Sequence, residues 1–338
     1  MNKHLYPYRW YLKDGYPLKN GLKVFGTFIC GGGSTMGYKL AGFEHLGGVE
    51  IDPPIAAVYK TNHHPKYLFN EDIRYFNKRT DLPDELYQLD ILDGSPPCST
   101  FSMAGAREKG WGKEKTFREG QIKQTLDDLV FVYCDTIIKL QPKVFILENV
   151  KGIIQGNAKI YSKNIVKKMT DAGYTVQVFC LNAASMGVPQ KRERVFFIGH
   201  KKEYNFPKLV LNFNESEIKF SEISIEAKKT KDTYKQFTEL YLDYWHKTKQ
   251  GDAVGLFNAT AKKCIYNQVA NTLTAGSNYG LCHSIEPRPC SKNELTMIGT
   301  YPLDYEFKEI QPHYLMGMSV PPVMTAQIAN QIYLQWFK

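Results

Sequence analysis

In the stretch DGSPPCSTFS, Asp93–Ser102, a lone cysteine follows two prolines. Neither proline can donate a backbone hydrogen bond and each fixes its own φ, so the loop that carries Cys98 is stiff. It leaves an apolar run, Leu86–Leu92 (LYQLDIL), that reads as a short strand stopped by Gly94 and the prolines. A thiol held there is a candidate nucleophile, although a free cysteine is also a common small core residue. Glu148 closes a second apolar run in FILENV, a position for a general acid or for a helix-capping turn. Arg192 and Arg194, in Gln190–Arg194 (QKRER), offer donors to a carbonyl or phosphate oxygen, or form an ordinary solvated basic pair.

Three more stretches point to a ligand rather than to bond chemistry. In Phe28–Gly37 (FICGGGSTMG) consecutive glycines let the backbone turn sharply and approach a bound molecule. Counted from Gly31, a dinucleotide fingerprint needs glycine at 36, where Met36 stands. A pyrophosphate cradle is therefore disfavoured, and a nicotinamide-dependent oxidoreductase with it. Glu50 in GVEIDP can accept both hydroxyls of a ribose, and Asp72 in NEDIR can accept from an adenine amino group. Either acid alone reads as a solvated cap. Behind a glycine-rich turn, the two suggest an adenosine without phosphates, for which S-adenosylmethionine is the common ligand.

The elements that must position these residues follow from the periodicity. Lys23–Ile29, Gly48–Ile51, Lys143–Leu147, Thr175–Leu181 and Arg194–Gly199 read as strands. They alternate with helical stretches that run from the glycine turn through Ala41, then Pro54–Asn62, Thr125–Leu140 and Ser162–Ala172. That alternation predicts an α/β fold with a doubly wound, mostly parallel sheet. Ligands bind such sheets at the carboxyl ends of the strands, where all the stretches above fall. Residues 1–21, aromatic and basic, read as a leader wrapping the surface. After about His200 the composition shifts to Lys, Glu and Ser, which marks a smaller segment, and Val320–Phe337 returns to a helical apolar pattern.

Composition narrows the function classes. Forty-three Lys and Arg against 34 Asp and Glu give a net charge of +9, which favours a polyanionic partner. The seven cysteines are scattered without a CxxC pair, so zinc-ribbon and thioredoxin readings have no support and no metal site is expected. The N-terminus lacks a secretory apolar core and no stretch reaches membrane-spanning length, so a soluble cytoplasmic protein is expected.

The motifs and their order resemble the C5-cytosine-specific DNA methyltransferase family. The glycine turn, VEID, GSPPCSTFS, ENV, QKRER and Gly317–Pro322 (GMSVPP) follow one another as in that family, from about Leu22 to the C-terminus apart from the middle of 205–265. Any one motif is weak; the ordered set is specific. The resemblance implies a Rossmann-like, S-adenosylmethionine-dependent methyltransferase domain formed by residues 22–200 and 303–338. A smaller target-recognition domain would span 201–302. It implies a transient Cys98–C6 bond, Glu148 at N3 and the exocyclic amine of cytosine, and Arg192 and Arg194 orienting the base. Cofactor contacts would come from Phe28, Gly31, Gly32, Gly33, Glu50, Ile51, Asp72, Ile73, Ser95, Pro97, Ser319 and Val320. DNA contacts would come from Ser99, Arg107, Asn149, Gln190 and Arg288. The loop after Cys98, with Gly105, Gly110 and Gly112 as hinges, would close over a flipped nucleotide.

Asn271–Ala275 (NTLTA) and Arg288–Pro302 resemble the end of the recognition region, with Ile298–Gly299 where the family has Leu-Gln. Two further departures concern the cofactor side. Cys30 stands where the family has the first glycine of its turn, and Met318 replaces the asparagine of GNSVPP. The partner implied is duplex DNA, with either a cognate restriction endonuclease acting in the same system or none, as for a solitary or phage-borne enzyme, and the enzyme itself a monomer. An RNA cytosine methyltransferase would use the same motifs; the sizeable 201–290 segment argues for DNA reading. A non-catalytic DNA-binding module would not need the thiol.

Overall fold

In the computed structural model, residues 4–97, 114–115, 124–125, 128–226, 235–255 and 261–338 are described. Cys98, Ser99 and Arg107, with most of the loop that follows them, lie outside the described residues.

Seven strands form the central sheet: β1 (Lys23–Thr27), β2 (Glu44–Val49), β3 (Tyr67–Phe69), β4 (Ile91–Gly94), β5 (Val144–Val150), β6 (Tyr174–Asn182) and β7 (Glu193–Lys201). Their order is β3-β2-β1-β4-β5-β7-β6. Strands β1 to β5 pair in parallel, and β7 alone runs against its neighbours. Strand order reverses between β1 and β4. The glycine turn leaves β1 and the Ser95–Pro97 loop leaves β4, so both stand at the switch point, where a doubly wound sheet opens a crevice.

The apolar runs are buried on both faces, as parallel strands covered by helices require. Side chains alternate between two cores. Phe25, Leu92, Phe145 and Leu147 pack toward α4 (Leu129–Leu140) and α5 (Lys159–Asp171). Val24, Ile91, Val144 and Ile146 pack on the face that holds Tyr38 of α1 (Gly33–Leu40) and Val323 and Ile328 of α6 (Pro322–Ile332). This period of two fixes where the functional side chains point. Asp93, two residues after Ile91, and Glu148, two after Ile146, fall on the α1 face; Asn149 falls on the other.

Three boundaries differ from expectation. The run at Leu86–Leu92 is a strand only from Ile91, because Asp84–Tyr87 forms a 3-10 turn whose Leu86 is buried in the core without sheet pairing. Strand β2 begins at Glu44, so Glu50 and Ile51 follow it. Strand β5 runs on through Glu148 and Asn149 to Val150, held by pairing with β7 at Phe196, Val195 and Arg194.

A third core joins the segment after 200 to the sheet domain. Ile218, Phe220, Ile223, Leu273 and Leu281 pack in one cluster with Met36 and Leu40 of α1 and with Ile55 and Val58 of α2 (Pro53–His63). A small separate cluster of Trp245, Val254, Ala261, Tyr279 and Cys282 lies within the segment itself. The leader is anchored rather than merely draped. Trp10 is buried in the third core with its Nε1 donating to Thr300 O at 3.0 Å, and Asp304 accepts from the backbone of Leu12 and Lys13. No helix among the described residues is long and apolar enough to cross a membrane.

Candidate active site

A cavity of about 360 Å³ opens at the carboxyl edge of the sheet, over the switch point. Its wall gathers most of the residues singled out in the sequence: Phe28, Gly33, Glu50, Ile51, Asp72, Ile73, Ser95, Pro97, Glu148, Arg192, Arg194, Ser319 and Val320.

At the β1–β2 end, Glu50 is buried and each of its carboxyl oxygens accepts one backbone hydrogen bond, from Cys30 N at 2.9 Å and Asp52 N at 2.9 Å. Each oxygen keeps a lone-pair direction for a further donor. Burial pushes this carboxyl up to about 7, partly opposed by the backbone N–H groups of Asp52, Cys30 and Ile51. Asp72 is a helix cap that also borders the cavity. It caps α3 (Ile73–Phe76), accepting from Arg74 N at 2.7 Å and pairing with the Arg74 guanidinium at 3.1 Å.

The glycines act differently from expectation. Gly31 and Gly32 are not on the cavity wall. A Cβ on Gly31 would lie 2.6 Å from Leu315 Cδ2, and one on Gly32, where φ is +80°, would lie 2.1 Å from His63 Nε2. The turn is bare because other parts of the protein press against its back, not because a ligand touches every residue. Gly33 does face the site, and its Cβ would meet Val320 O at 2.2 Å. Gly33→Ala is expected to force the turn away from the Ser319–Val320 segment. The cost should be about 1–3 kcal/mol, read as a lower urea midpoint with unchanged slope. Cys30 adopts φ +48°, the left-handed region that favours glycine, and Cys30 and Met318 both line the cavity. The thiol of Cys30 is pushed up to about 12, chiefly by burial.

At the β4–β5 end, Glu148 is buried and its Oε1 is ion-paired with Arg194 Nε at 2.9 Å. Arg192 is buried as well. Its Nη1 donates to Leu273 O at 3.1 Å, and its Nη2 to Gly317 O at 3.0 Å and Ser319 O at 2.9 Å. The guanidinium thus ties the NTLTA stretch to the GMSVPP loop. Nε stays buried with no acceptor among the described residues. Burial, with Arg194 nearby, lowers this group to about 9, so it remains charged at neutral pH.

Three expected DNA contacts are structural. Gln190 is buried, donating to Ile298 O at 3.2 Å and accepting from Leu273 N at 3.0 Å, which uses its amide to join β7 to the recognition segment. Arg288 spends its fork inside the protein: on Glu294 at 2.8 and 3.0 Å, on Glu286 at 2.7 Å, and on the carbonyls of Pro289 and Ile225. Asn149 is turned to the α4–α5 face by strand alternation, and its Oδ1 accepts from Val150 N at 3.0 Å.

The sequence reading passed over Asp93, which lines the same wall. The available signal was an acid inside a four-residue strand that is otherwise apolar or glycine, ILDG. Burial pushes this carboxyl up to about 7, with Glu148 adding to the rise.

Fold and site together define a Rossmann-like α/β protein with a ligand cavity at its switch point and a carboxylate–guanidinium pair at one end of it. The chain belongs to the C-5 cytosine-specific DNA methylase family, whose family model matches residues 22–334. Among its relatives, the Type II methyltransferase M.FnuDI of Fusobacterium nucleatum is 34% identical over 206 residues. That match spans 60% of this chain and 55%, about half, of the relative's length. M.Sau96I of Staphylococcus aureus, another Type II methyltransferase, is 28% identical over 93% of this chain and 76% of its own. A putative DNA modification methyltransferase from an Escherichia coli prophage shares the fold, with a TM-score of 0.72 at 18% identity, over 94% of this chain and all of that one.

Proposed function

We propose that the protein transfers a methyl group from S-adenosylmethionine to carbon 5 of a cytosine rotated out of duplex DNA, through a transient Cys98–C6 bond. One observation carries the reading. Glu50, with lone pairs left for two ribose hydroxyls, shares a single cavity with Glu148, Arg192 and Arg194, and Pro97, the residue before Cys98, lies on the same wall. Acceptors for a nucleoside and a polar set for a pyrimidine edge fit the two molecules that must meet. The cofactor, when bound, supplies a methyl group on a sulfonium.

Addition of the Cys98 thiolate to carbon 6 makes carbon 5 nucleophilic, since carbon 5 of cytosine is otherwise a feeble nucleophile. Arg194 holds the Glu148 carboxyl, so that in its protonated form Glu148 donates its O–H to N3 while its other oxygen accepts from the exocyclic amine. Arg192, anchored by both Nη atoms, keeps Nε as a donor for the base. Once carbon 5 carries the methyl group, its proton leaves, the Cys98–C6 bond breaks and the ring double bond re-forms.

The extruded base is reached at a cost of a few kcal/mol. Arg107 and the neighbouring lysines, which lie outside the described residues, would meet phosphates. Residues 201–302 form the target-recognition region. The enzyme acts as a monomer in the cytoplasm, in a modification system that includes a cognate endonuclease.

Bisulfite sequencing of DNA from cells that express the protein identifies the modified base and its context. A duplex with 5-fluorocytosine at that position is then expected to form a covalent complex only when S-adenosylmethionine is present, and peptide mapping should place the adduct on Cys98. An adduct on another residue, or trapping by transfer RNA and not by duplex DNA, would overturn the assignment.

A further inference from the structure

Asp93 is a buried acid on the cavity wall to which the mechanism above gives no role. It stands on β4 and pairs across to Ile146 of β5, so Glu148, two residues further along β5, is its diagonal neighbour on the same face. The groups around it are named readily. Tyr38 of α1 donates to Oδ1 at 3.1 Å, and Ser34 of α1 also hydrogen-bonds the carboxyl. The hydroxyls of Tyr59 on α2 and Tyr133 on α4 and the carboxyl of Glu148 feel its charge. Among the described residues no cation pairs with it. Two hydrogen bonds leave part of a carboxylate's acceptor capacity unused.

The sheet order says what passes this residue. Across the cavity the strand ends run β2, β1, β4, β5, bringing Glu50, Phe28, Asp93 and Glu148 in that sequence. Adjacent strands are about 4.8 Å apart, so β4 lies roughly 10 Å from β2 and one strand from β5. A nucleoside whose ribose sits on Glu50, and whose 5′ substituent must reach a base held at Glu148, lays that substituent across β4. In an adenosyl amino acid the substituent bears an α-ammonium group. We infer that Asp93 is a cofactor-binding residue of this chain that accepts a charge-assisted hydrogen bond from the α-ammonium of the adenosyl amino acid, with Tyr38 and Ser34 holding its carboxyl in place. The inference rests on the methyl-donor reading given above.

Calorimetry with two ligands tests it without catalysis: S-adenosylhomocysteine, and its desamino analogue, which lacks only the α-amino group. The wild type is expected to prefer the homocysteine ligand by about 10- to 100-fold, the range of a hydrogen bond to a charged group. In Asp93→Asn that preference should fall to within about threefold, while affinity for the desamino analogue stays near the wild-type value, which also reports that the variant is folded. Because burial raises the Asp93 carboxyl to about 7, the wild-type preference should shrink as pH falls through that value, as the carboxylate is lost, and should be flat in Asp93→Asn. Glu50 is raised to about 7 too, but it acts equally on both ligands and cancels from the ratio. Equal weakening of both ligands in Asp93→Asn would make the residue structural and overturn the inference, as would an unchanged preference. A wild type that binds neither nucleoside would sink the methyl-donor reading itself, and this inference with it.

Discussion

Glu148→Ala is expected to slow methyl transfer by about 10²–10⁴-fold, the range for a positioned proton-transfer or charge-stabilising group. Affinity for S-adenosylhomocysteine should remain within a few-fold, because Glu50 and the cofactor end of the cavity are untouched. The size of the effect follows from the geometry. Glu148 is buried at the end of the cavity that a base would enter, and Arg194 Nε at 2.9 Å fixes its orientation. Removing the carboxyl takes away the group facing the ring and leaves the Arg194 guanidinium with the Glu193 carbonyl as its remaining partner among the described hydrogen bonds. Glu148→Gln separates these effects. It keeps the shape and an acceptor for Arg194 but not the charge, so it should lie between wild type and alanine. Single-turnover transfer of a labelled methyl group, with thermal unfolding alongside, is the measurement. If Glu148→Ala transferred methyl groups at the wild-type single-turnover rate, Glu148 would be no part of the chemistry.

Much of this arrangement was legible in the sequence, because a doubly wound sheet sends the carboxyl ends of its strands to one place. Once VEID, GSPPC and ENV were taken as strand ends, Glu50, Pro97 and Glu148 had to converge. What the sequence did not disclose was the direction of each side chain. Asn149 follows Glu148 in the chain yet points to the opposite core, since β5 runs on through it. Leu86 has the apolar character of a strand residue but packs from a 3-10 turn. The resemblance implied a DNA contact at Arg288; its carboxylate partners, Glu286 and Glu294, sit two and six residues away and take up the fork. Gln190 finds its partners at Leu273 and Ile298, far along the chain. Glycine was misread in a similar way, since a missing Cβ signals a close approach without saying whether ligand or protein approaches.

Arg192→Met is expected to destabilise the protein by about 3–5 kcal/mol, the range for removing one partner of a buried charged network. The substitution keeps the volume of the side-chain stem and deletes donors to three carbonyls: Leu273, Gly317 and Ser319. A carbonyl left buried without a donor costs about 1–3 kcal/mol. Two of the three, Gly317 and Ser319, border a cavity that water can enter, which places the expected loss toward the lower figure. For a chain of this size that is a drop in Tm of about 4–7 °C. Arg192→Lys should recover less than half of it, because an ammonium cannot reproduce a planar fork that serves acceptors on two segments at once. The same bonds explain why the loss should reach ligand binding. Gly317, in the last turn of the short helix Pro312–Met318, and Ser319, which caps it, border the cavity beside Gly33, and Leu273 belongs to the segment after 200. One buried guanidinium therefore ties the segment after 200 to the cavity wall. Chemical denaturation of the two variants, together with S-adenosylhomocysteine titration, checks this. An Arg192→Met protein as stable as wild type, with lost transfer alone, would mean that the arginine serves the base and that the loops hold together by apolar packing.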